Sequence, residues 1–306
     1  MQDILIIGGG TAGLTAAIYA RRAGLSCTVF EGGTPGGKIV ASPEVANYPA
    51  MPKVSGFDYA MALLKQVQEL GAEIVYESVT GADICGKIKR LRTANGEYEG
   101  KTVIIANGAS RKKLGCKGEA EFEGRGVSYC ATCDGAFFRG KGVAVIGGGN
   151  TALEDALFLS NLCESVFLIH RRNAFRGEKL FAEAVEKRKN IIFHGETVIK
   201  EILGEKAVTA AVIRSINSRQ EELLPVSAVF IAIGLVPDNR IFSALPLDFN
   251  GYILAGDDCK TSLAGVFAAG DTRAKALRQI FTAASDGATA AFHAASYVNT
   301  LETTLR

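Results

Sequence analysis

The strongest chemical signal in this sequence is a pair of cysteines. They are separated by two residues, and an acid directly follows the second. These three residues are Cys130, Cys133 and Asp134. This spacing lets the two sulfurs close a small ring, so dithiol and disulfide interconvert with little backbone change, and the thiolate is the attacking species. Asp134 is placed to move protons as the disulfide opens and closes, or alternatively to cap the turn that follows. We predict a redox-active cysteine pair.

A structural zinc site is the main alternative for two cysteines at this spacing. Structural zinc needs four ligands, and the sequence has no second Cys-x-x-Cys and no Cys/His pair. The three histidines, His170, His194 and His293, lie far apart along the chain. We therefore predict no metal, and we favour a redox pair over zinc and over an inert buried pair.

Length and composition are those of an ordinary globular chain with two domains. The chain has 306 residues, of which 48% are hydrophobic and 22% charged, and its net charge of +2 predicts neither nucleic-acid nor membrane binding. No apolar run reaches the roughly 18 residues that span a bilayer, and a strand beginning at Asp3 leaves no room for a charged leader. We expect a cytosolic protein, in which the isolated cysteines are small buried hydrophobes: Cys27, Cys85, Cys116, Cys163 and Cys259.

The start of the chain carries every part of a dinucleotide-binding fingerprint. The apolar strand Asp3–Ile7 leads into the loop Gly8–Gly13, which fits G-x-G-x-x-G, and an Ala-rich helix, a second strand over 27–30 and Glu31 follow. The glycines permit a tight turn and close backbone approach, the helix N-terminus favours a pyrophosphate, and the acid suits ribose hydroxyls. We predict a dinucleotide site here.

The same pattern returns 139 residues later (147 − 8), which indicates a duplicated domain. A strand over 143–146 leads into the G-x-G-x-x-A loop Gly147–Ala152, and a helix over 151–161 and a second strand over 166–169 follow. The repeat therefore predicts a second dinucleotide site.

The two copies differ at the residue that reads the ribose. Glu31 ends the first copy, whereas His170 stands at that place in the second, followed by Arg171, Arg172 and Arg176. An acid binds a free 2′-hydroxyl, but arginines pair a 2′-phosphate, because the planar guanidinium meets phosphate oxygens bidentately. We predict that the second site prefers NADP(H), with a solvated basic loop as the alternative.

Hairpin-like passages also repeat between the copies. Strands are predicted over 84–93 and 98–105 in the first copy, and over 208–216 and 224–233 in the second, each pair ending on a glycine.

Three further segments carry signals. The glycine-rich Gly36–Lys38 and the polar Glu44–Pro49 either fold over a ligand or form exposed loops. Near the end, a strand over 265–271 finishes in Gly-Asp, and a long helix over 280–299 follows. An acid at the carboxyl end of a strand stands where open α/β sheets bind ligands.

A dithiol beside two nucleotide sites has a chemical logic. Nicotinamide donates a hydride, which thiols do not accept directly, and a flavin is the natural intermediary. We predict FAD in the acid-terminated site and NADPH in the arginine-marked site.

Taken together, these motifs resemble the bacterial, low-molecular-weight, NADPH-dependent thioredoxin reductase family over essentially the whole chain. The dithiol inside the second nucleotide domain is the most specific part of the likeness. The resemblance implies an α/β fold of two Rossmann-like dinucleotide-binding domains, with an NADPH domain (112–240) inserted into a FAD domain (1–111 and 241–306). It also implies a homodimer, a large rotation between the domains, and thioredoxin as the partner.

The resemblance also implies roles for single residues. Cys133 would face the flavin, Cys130 would attack the disulfide of thioredoxin, Asp134 would donate the proton, and Asp271 would bind the ribityl chain. The full set expected to bind cofactors is Gly8, Gly10, Thr11, Ala12, Gly13, Glu31, Gly36, Gly37, Lys38, Asn47, Ala106, Asn107, Gly108, Gly147, Gly149, Asn150, Thr151, His170, Arg171, Arg172, Arg176, Ile233, Gly234, Gly270, Asp271, Arg278 and Gln279.

Two positions depart from the pattern common in the family. Lys38 stands where many relatives have Gln, and Asn107 where many have Thr. Lys38 would place a positive charge near the flavin and alter its potential. Beside the dithiol, Phe137 and Phe138 are candidates for docking a partner, with core packing expected for one of them.

Other functions remain alternatives to an NADPH-fed thioredoxin reductase. A ferredoxin-fed flavin reductase is disfavoured by the second fingerprint with its arginines. A reductase of a peroxiredoxin or other dithiol carrier, and a dithiol oxidase of a small molecule, share the same core. A flavin-binding regulatory protein without turnover is disfavoured by the complete set of Cys130, Cys133 and Asp134.

Overall fold

The computed structural model describes residues 1–42, 44–45, 47–51 and 53–304. The chain forms two compact units: unit 1 is Met1–Ser110 with Val236–Arg306, and unit 2 is Arg111–Leu235. The sequence predicts the domain boundaries after residues 111 and 240.

The strands, in chain order, are β1 (Gln2–Ile7), β2 (Cys27–Phe30), β3 (Glu73–Val75), β4 (Gly81–Asp83), β5 (Lys89–Arg92), β6 (Glu97–Ile105), β7 (Ser110–Arg111), β8 (Val127–Ser128), β9 (Gly142–Ile146), β10 (Ser165–Ile169), β11 (Ile191–His194), β12 (Thr197–Gly204), β13 (Val208–Ser215), β14 (Glu221–Leu224), β15 (Ala228–Ile231), β16 (Leu235–Val236) and β17 (Val266–Ala268). The α-helices are α1 (Thr11–Arg22), α2 (Gly56–Glu69), α3 (Ala131–Asp134), α4 (Asn150–Ser160), α5 (Lys179–Glu186) and α6 (Ile280–Thr304), and short 3₁₀ helices cover Gly37–Ala41, Gly135–Phe138, Arg240–Phe242 and Gly270–Thr272.

Unit 1 is built on a seven-stranded sheet in the order β3-β2-β1-β6-β5-β4, with β17 also paired to β6. β1, β2, β3, β6 and β17 pair in parallel, whereas β4, β5 and the first half of β6 pair antiparallel. Successive residues of β1 enter two different cores: Ile4 and Ile6 pack with α1 and α6, and Leu5 and Ile7 pack on the opposite face. The apolar run at the start of the chain is therefore a strand buried on both faces.

Unit 2 repeats this plan. Its five-stranded sheet runs β11-β10-β9-β15-β8, all parallel, and a three-stranded antiparallel sheet of β12, β13 and β14 accompanies it. α1 begins at Thr11 and α4 at Asn150, again 139 residues apart (150 − 11). The predicted α/β fold of two Rossmann-like units is confirmed.

The predicted strand over 84–93 is wrong in its first half. The strand is only Lys89–Arg92, because the buried ammonium of Lys89 folds the preceding residues into a turn. Lys89 Nζ donates to the carbonyl oxygens of Ile84 (3.0 Å), Gly86 (2.7 Å) and Ala264 (2.8 Å). Cys85 lies in this turn and is exposed, against the expectation of a buried thiol.

The predicted strand over 224–233 is also wrong, because it is two strands. β14 ends at Leu224 and pairs with β13, whereas β15 begins at Ala228 and joins the parallel sheet. Pro225 separates them, since proline has no N–H to donate to a ladder, so the pairing of β14 ends at Leu224. In unit 1, the single strand β6 has both roles.

A buried charge cluster stabilises the turn between β17 and α6. Asp286 accepts two bonds from the guanidinium of Arg273 (2.8 and 2.9 Å), one from Lys275 Nζ (2.9 Å) and one from the Gly270 N–H (2.9 Å). All three charged side chains are only 7% exposed. Burial opposes ionisation of Asp286, but the bonds from Arg273 and Lys275 outweigh it and hold the pKa of this carboxyl below its usual range.

Replacing Asp286 by alanine is expected to lower the free energy of unfolding by about 3–5 kcal/mol, because two buried cations lose their partner. Urea denaturation followed by circular dichroism measures this loss. Asp257→Ala is the matched control, since Asp257 lies 3.7 Å from Arg273 but is fully exposed, and it should change stability far less than Asp286→Ala, because solvent screens exposed ion pairs. Equal effects of the two variants would contradict the buried-network account.

The same cluster predicts a pH dependence. A lowered folded-state pKa means that the stabilisation is present above the unfolded value of about 3.9 and disappears as the pH falls through the folded value. The gap in stability between wild type and Asp286→Ala should therefore close only in acid.

Candidate active site

The dithiol lies at the start of a short helix in unit 2. Cys130 and Cys133 form a disulfide with their Cα atoms 5.3 Å apart. Cys130 directly precedes α3 and Cys133 lies within it, and both residues are half-buried. The sulfur of Cys130 also lies 3.5 Å from the hydroxyl of Thr132. Both sulfurs are therefore held within one short segment of the chain, as the Cys-x-x-Cys spacing predicts.

Asp134 directly follows Cys133 and is held in place by two hydrogen bonds. Its Oδ2 accepts a bond of 2.6 Å from the Ser128 hydroxyl, and its own N–H donates to the Cys130 carbonyl at 3.1 Å. In the described structure its side chain makes no capping bond to the 3₁₀ helix that follows, so capping is not its role here. Burial raises the pKa of Asp134, and the Ser128 bond and the charge of Arg111 only partly oppose this. A carboxyl of this kind holds a proton more readily than an exposed one, which suits a general acid.

Ser128 was missed by sequence reasoning. It ends β8, is 6% exposed, and its oxygen accepts the N–H of Cys130 at 3.1 Å. A serine two residues before a cysteine has no distinguishing pattern, because only the register of β8 and the fold of α3 direct it at the acid.

The two phenylalanines after the dithiol have different environments. Phe138 packs edge-on against Phe230, with ring centroids 5.8 Å apart, whereas Phe137 is 48% exposed. Phe137 alone is available to a partner.

The first glycine loop brings several predicted residues of unit 1 together. A Cβ on Gly8 would collide with the carbonyl oxygen of Ala106, so the loop passes directly over the end of β6. Glu31 accepts the Gly9 N–H at 2.7 Å, and the Gly36 N–H donates to the Gly9 carbonyl at 2.7 Å. Thr11, Ala12 and Gly13 form the first turn of α1. This is a cradle for a pyrophosphate at a helix N-terminus, with an acid beside it.

The segment after the loop meets the Gly-Asp turn from the end of the chain. Lys38 Nζ lies 2.6 Å from Asp271 Oδ2, and the Cβ atoms of Ala12 and of a residue placed at Gly270 would be 2.9 Å apart. A Cβ placed on Gly37 would likewise lie close to the Cα atom of Gly10. The charge of Lys38 is therefore balanced by Asp271.

Other predicted residues of unit 1 make contacts of their own. Asn47 Nδ2 donates to Gln279 at 3.0 Å, and Ala46, in the same predicted segment, lies outside the described residues. Asn107 Nδ2 donates to the Asp238 carbonyl at 2.8 Å. The guanidinium of Arg278 stacks over Tyr252 at 4.0 Å.

The residues of unit 1 fit a bound dinucleotide. Asn107 Oδ1 and Arg278 Nε are buried polar atoms without a hydrogen-bond partner in the described part of the chain. Gly108 adopts a positive φ of 68° at the carboxyl end of the sheet. Together with the glycine cradle, these atoms leave polar capacity that a ligand such as FAD can use.

The second glycine loop repeats the geometry in unit 2. A Cβ on Gly147 would collide with the Ala232 carbonyl oxygen, and α4 begins directly after Gly149. Asn150 exchanges two bonds with Glu178, of 2.7 and 2.8 Å, which ties the loop to the start of α5, and Thr151 is exposed on the first turn of α4. Ile233 and Gly234 follow β15 at the same sheet edge.

His170 lies directly under this loop. A Cβ on Gly148 would be 2.5 Å from its ring, and His170 is 5% exposed with no partner for Nε2 among the described residues. Burial lowers the pKa of His170, and Arg176, Arg171 and Arg172 lower it further. The imidazole is therefore neutral at pH 7, and the positive charge of the site comes from the arginines.

The three arginines of this segment are exposed beside the loop. The N–H groups of Arg176 and Gly177 donate to the Gly148 carbonyl, at 2.6 and 3.1 Å, so the segment after β10 folds back onto the phosphate cradle. Exposed guanidinium groups next to a dinucleotide cradle suit a 2′-phosphate.

Two features are absent among the described residues, a metal-binding cluster and a membrane-spanning helix. No three His, Cys, Asp or Glu side chains among those residues are grouped as a metal site. Within the same residues, no helix is long and apolar enough to cross a membrane.

Comparison with known proteins agrees with this geometry. Residues 2–287 match the pyridine nucleotide-disulphide oxidoreductase family model. The chain is 44% identical over 302 residues to the thioredoxin reductase of Treponema pallidum, covering 98% of each chain. It is 40% identical over 307 residues to that of Listeria monocytogenes, covering 100% of this chain and 96% of the relative. The crystal structure of the thioredoxin reductase from Streptococcus pyogenes superposes with a TM-score of 0.93 at 38% identity, covering 98% and 99%. The chain therefore belongs to the pyridine nucleotide-disulphide oxidoreductase family and, within it, to the thioredoxin reductases.

Proposed function

We propose that this enzyme passes electrons from NADPH through FAD and the Cys130–Cys133 disulfide to thioredoxin. The observation that carries the proposal is the disulfide with a partly buried acid behind it, in the same unit as an arginine-marked dinucleotide loop. Thioredoxin is proposed because relatives of 40–44% identity carry it in their names.

The two units have separate cofactors in this proposal. Unit 1 would hold FAD through its glycine loop, Glu31 and the Gly270–Asp271 turn, and unit 2 would hold NADPH. FAD, when bound, supplies the centre that takes a hydride from NADPH and passes an electron pair to a disulfide. The rotation between the units that the family resemblance implies stays a prediction.

In the proposed mechanism, the two cysteines carry the electrons and Asp134 carries a proton. Reduction of the disulfide breaks the S–S bond and takes up two electrons and two protons, giving two thiols. Asp134 would carry one of these protons, because burial favours its protonated form. In the proposed division of roles, Cys133 receives the electrons and Cys130 attacks the partner's disulfide.

A homodimer is also proposed. Unit 1 exposes several large apolar side chains, including Phe57 (53%), Phe281 (54%) and Phe292 (65%), which a partner copy would cover. Light scattering should give about twice the chain mass of 32.3 kDa, and a monomer at micromolar concentration would contradict the proposal.

A cytoplasmic location is proposed on the basis of the cysteines. The five cysteines outside the redox pair are free thiols in this structure. Free thiols persist in a reducing compartment, whereas oxidising compartments favour structural disulfides.

Removing either redox sulfur should separate the two half-reactions. In Cys130→Ser and Cys133→Ser, NADPH should still bleach the flavin absorbance in stopped flow, while thioredoxin reduction falls more than about a hundredfold because the two-electron carrier is lost. Cys85→Ser, which removes an exposed free thiol, is the control and should turn over as wild type. Wild-type turnover in either redox variant would refute the assignment.

The arginines should distinguish NADPH from NADH. Arg171→Ala with Arg172→Ala should weaken NADPH binding by about 10–100-fold, because charge-assisted bonds to the 2′-phosphate are lost. NADH binding, measured by the same fluorescence titration, should change less than about threefold. Arg188→Ala removes another exposed arginine of unit 2 and serves as control. Equal losses for both nucleotides would favour a solvated basic loop and would reopen the ferredoxin-fed alternative.

A further inference from the structure

The hydroxyl of Ser128 connects the dithiol to its acid. Ser128 Oγ accepts the Cys130 N–H at 3.1 Å and lies 2.6 Å from Asp134 Oδ2. The serine is 6% exposed, and the pairing of β8 with β15 places it opposite Phe230. A buried, strand-anchored hydroxyl is therefore fixed between the two groups that the reaction must coordinate.

We infer that Ser128 is a positioning residue that keeps Oδ2 of Asp134 occupied, so that the proton exchanged with the dithiol is carried on Oδ1. The inference rests on the proposed role of Asp134 as proton carrier.

The geometry determines the direction of the hydroxyl proton. The Cys130 N–H takes one lone pair of Ser128 Oγ, and among the described residues the only other acceptor for the Ser128 hydroxyl proton, the Cys130 carbonyl, is at 3.4 Å. The carboxylate at 2.6 Å is the stronger acceptor, because a bond to an ionised group is shorter and stronger. Ser128 thus donates to Oδ2.

A donor on one oxygen favours the proton of a carboxylic acid on the other. While Ser128 donates to Oδ2, a proton bound by Asp134 is held preferentially on Oδ1, because the carbonyl oxygen of a carboxylic acid accepts a hydrogen bond better than its hydroxyl oxygen. Oδ1 has no hydrogen-bond partner in the part of the chain that the structure describes. It is therefore the oxygen left available to the sulfur chemistry.

The exchange step balances with this arrangement. The Cys130 thiol gives its proton to Oδ1 and bonds to one sulfur of the substrate disulfide, whose S–S bond breaks and releases a thiolate. Cys133 then displaces the second substrate sulfur and re-forms the Cys130–Cys133 bond. Two electrons pass to the substrate, and the two protons of the dithiol end on the two product thiols, one of them through Asp134.

Removing the hydroxyl should shift the titration of Asp134 upward. Ser128 donates to the ionised carboxylate, and its bond opposes the effect of burial on the pKa. In Ser128→Ala, the step that needs ionised Asp134 should begin at a higher pH, because the hydrogen bond that favours the ionised form is lost.

The test uses the NADPH-reduced holoenzyme and a small aromatic disulfide, 5,5′-dithiobis(2-nitrobenzoate), whose product thiolates leave without protonation. The exchange rate is followed by stopped flow across pH 5–9 for wild type, Ser128→Ala and Ser128→Thr. We expect the rise of rate with pH to shift upward in Ser128→Ala and to return in Ser128→Thr, which keeps a hydroxyl.

The Asp134→Asn variant provides the second part of this experiment. If Ser128 acts through the acid, adding Ser128→Ala to Asp134→Asn should change neither the rate nor the pH profile. An unshifted profile in Ser128→Ala, or the same slowing with and without Asp134, would overturn the inference and leave Asp134 in its role. A profile unchanged by Asp134→Asn itself would overturn both the inference and the proposed proton carrier.

Discussion

The close passage of a glycine loop over a strand end is the constraint on which both binding sites depend. Gly8 packs directly against the Ala106 carbonyl oxygen, and Gly147 packs against the Ala232 carbonyl oxygen. A side chain at either glycine would collide with that oxygen. Both glycines have positive φ, 102° and 151°, which an L side chain rarely adopts. Because the chain turns this tightly, a helix N-terminus follows within three residues and points its N–H groups at the same sheet edge.

On this shared frame, one position separates the two sites. Glu31 accepts the Gly9 N–H in unit 1, and in unit 2 the buried His170 lies against Gly148. A carboxylate beside the cradle suits hydroxyl donors. A neutral imidazole fills the same space without charge, so the positive charge suited to a phosphate lies on the exposed arginines, of which Arg176 donates its N–H to the Gly148 carbonyl. The proposed difference in ligand preference between the two units thus depends on the residues at the end of the second strand of each unit.

The charged side chains near the Gly270–Asp271 turn are paired with opposite charges, whereas, in the part of the chain that the structure describes, Asp134 beside the dithiol is not ion-paired in the same way. In unit 1, Asp286 ties two cations beneath the Gly270–Asp271 turn, and Lys38 balances Asp271, so the charged groups are paired. In unit 2, Asp134 is partly buried, its carboxylate accepts a hydrogen bond from the Ser128 hydroxyl, and burial raises its pKa. Paired charges stabilise a fixed local structure, whereas a buried carboxyl bonded to a neutral donor holds a proton more readily than an exposed one. This contrast agrees with a binding role for the first group and a catalytic role for the second.

Short spacing in the sequence was enough to predict the two glycine loops with their strands and helices, the cysteine pair and the acid after it, and the return of the loop pattern after 139 residues revealed the duplication. The short-range features are local because a turn, a helix start or a small disulfide ring is specified within a few residues. Tertiary packing was needed to show that Lys38 pairs with Asp271 across 233 positions, that Lys89 folds the turn holding Cys85, and that Ser128 meets Asp134. It also divided the run around Pro225 between two sheets. Those outcomes depend on strand register and burial, which a short stretch of sequence does not specify even where the partners, such as Ser128 and Asp134, are close in the chain.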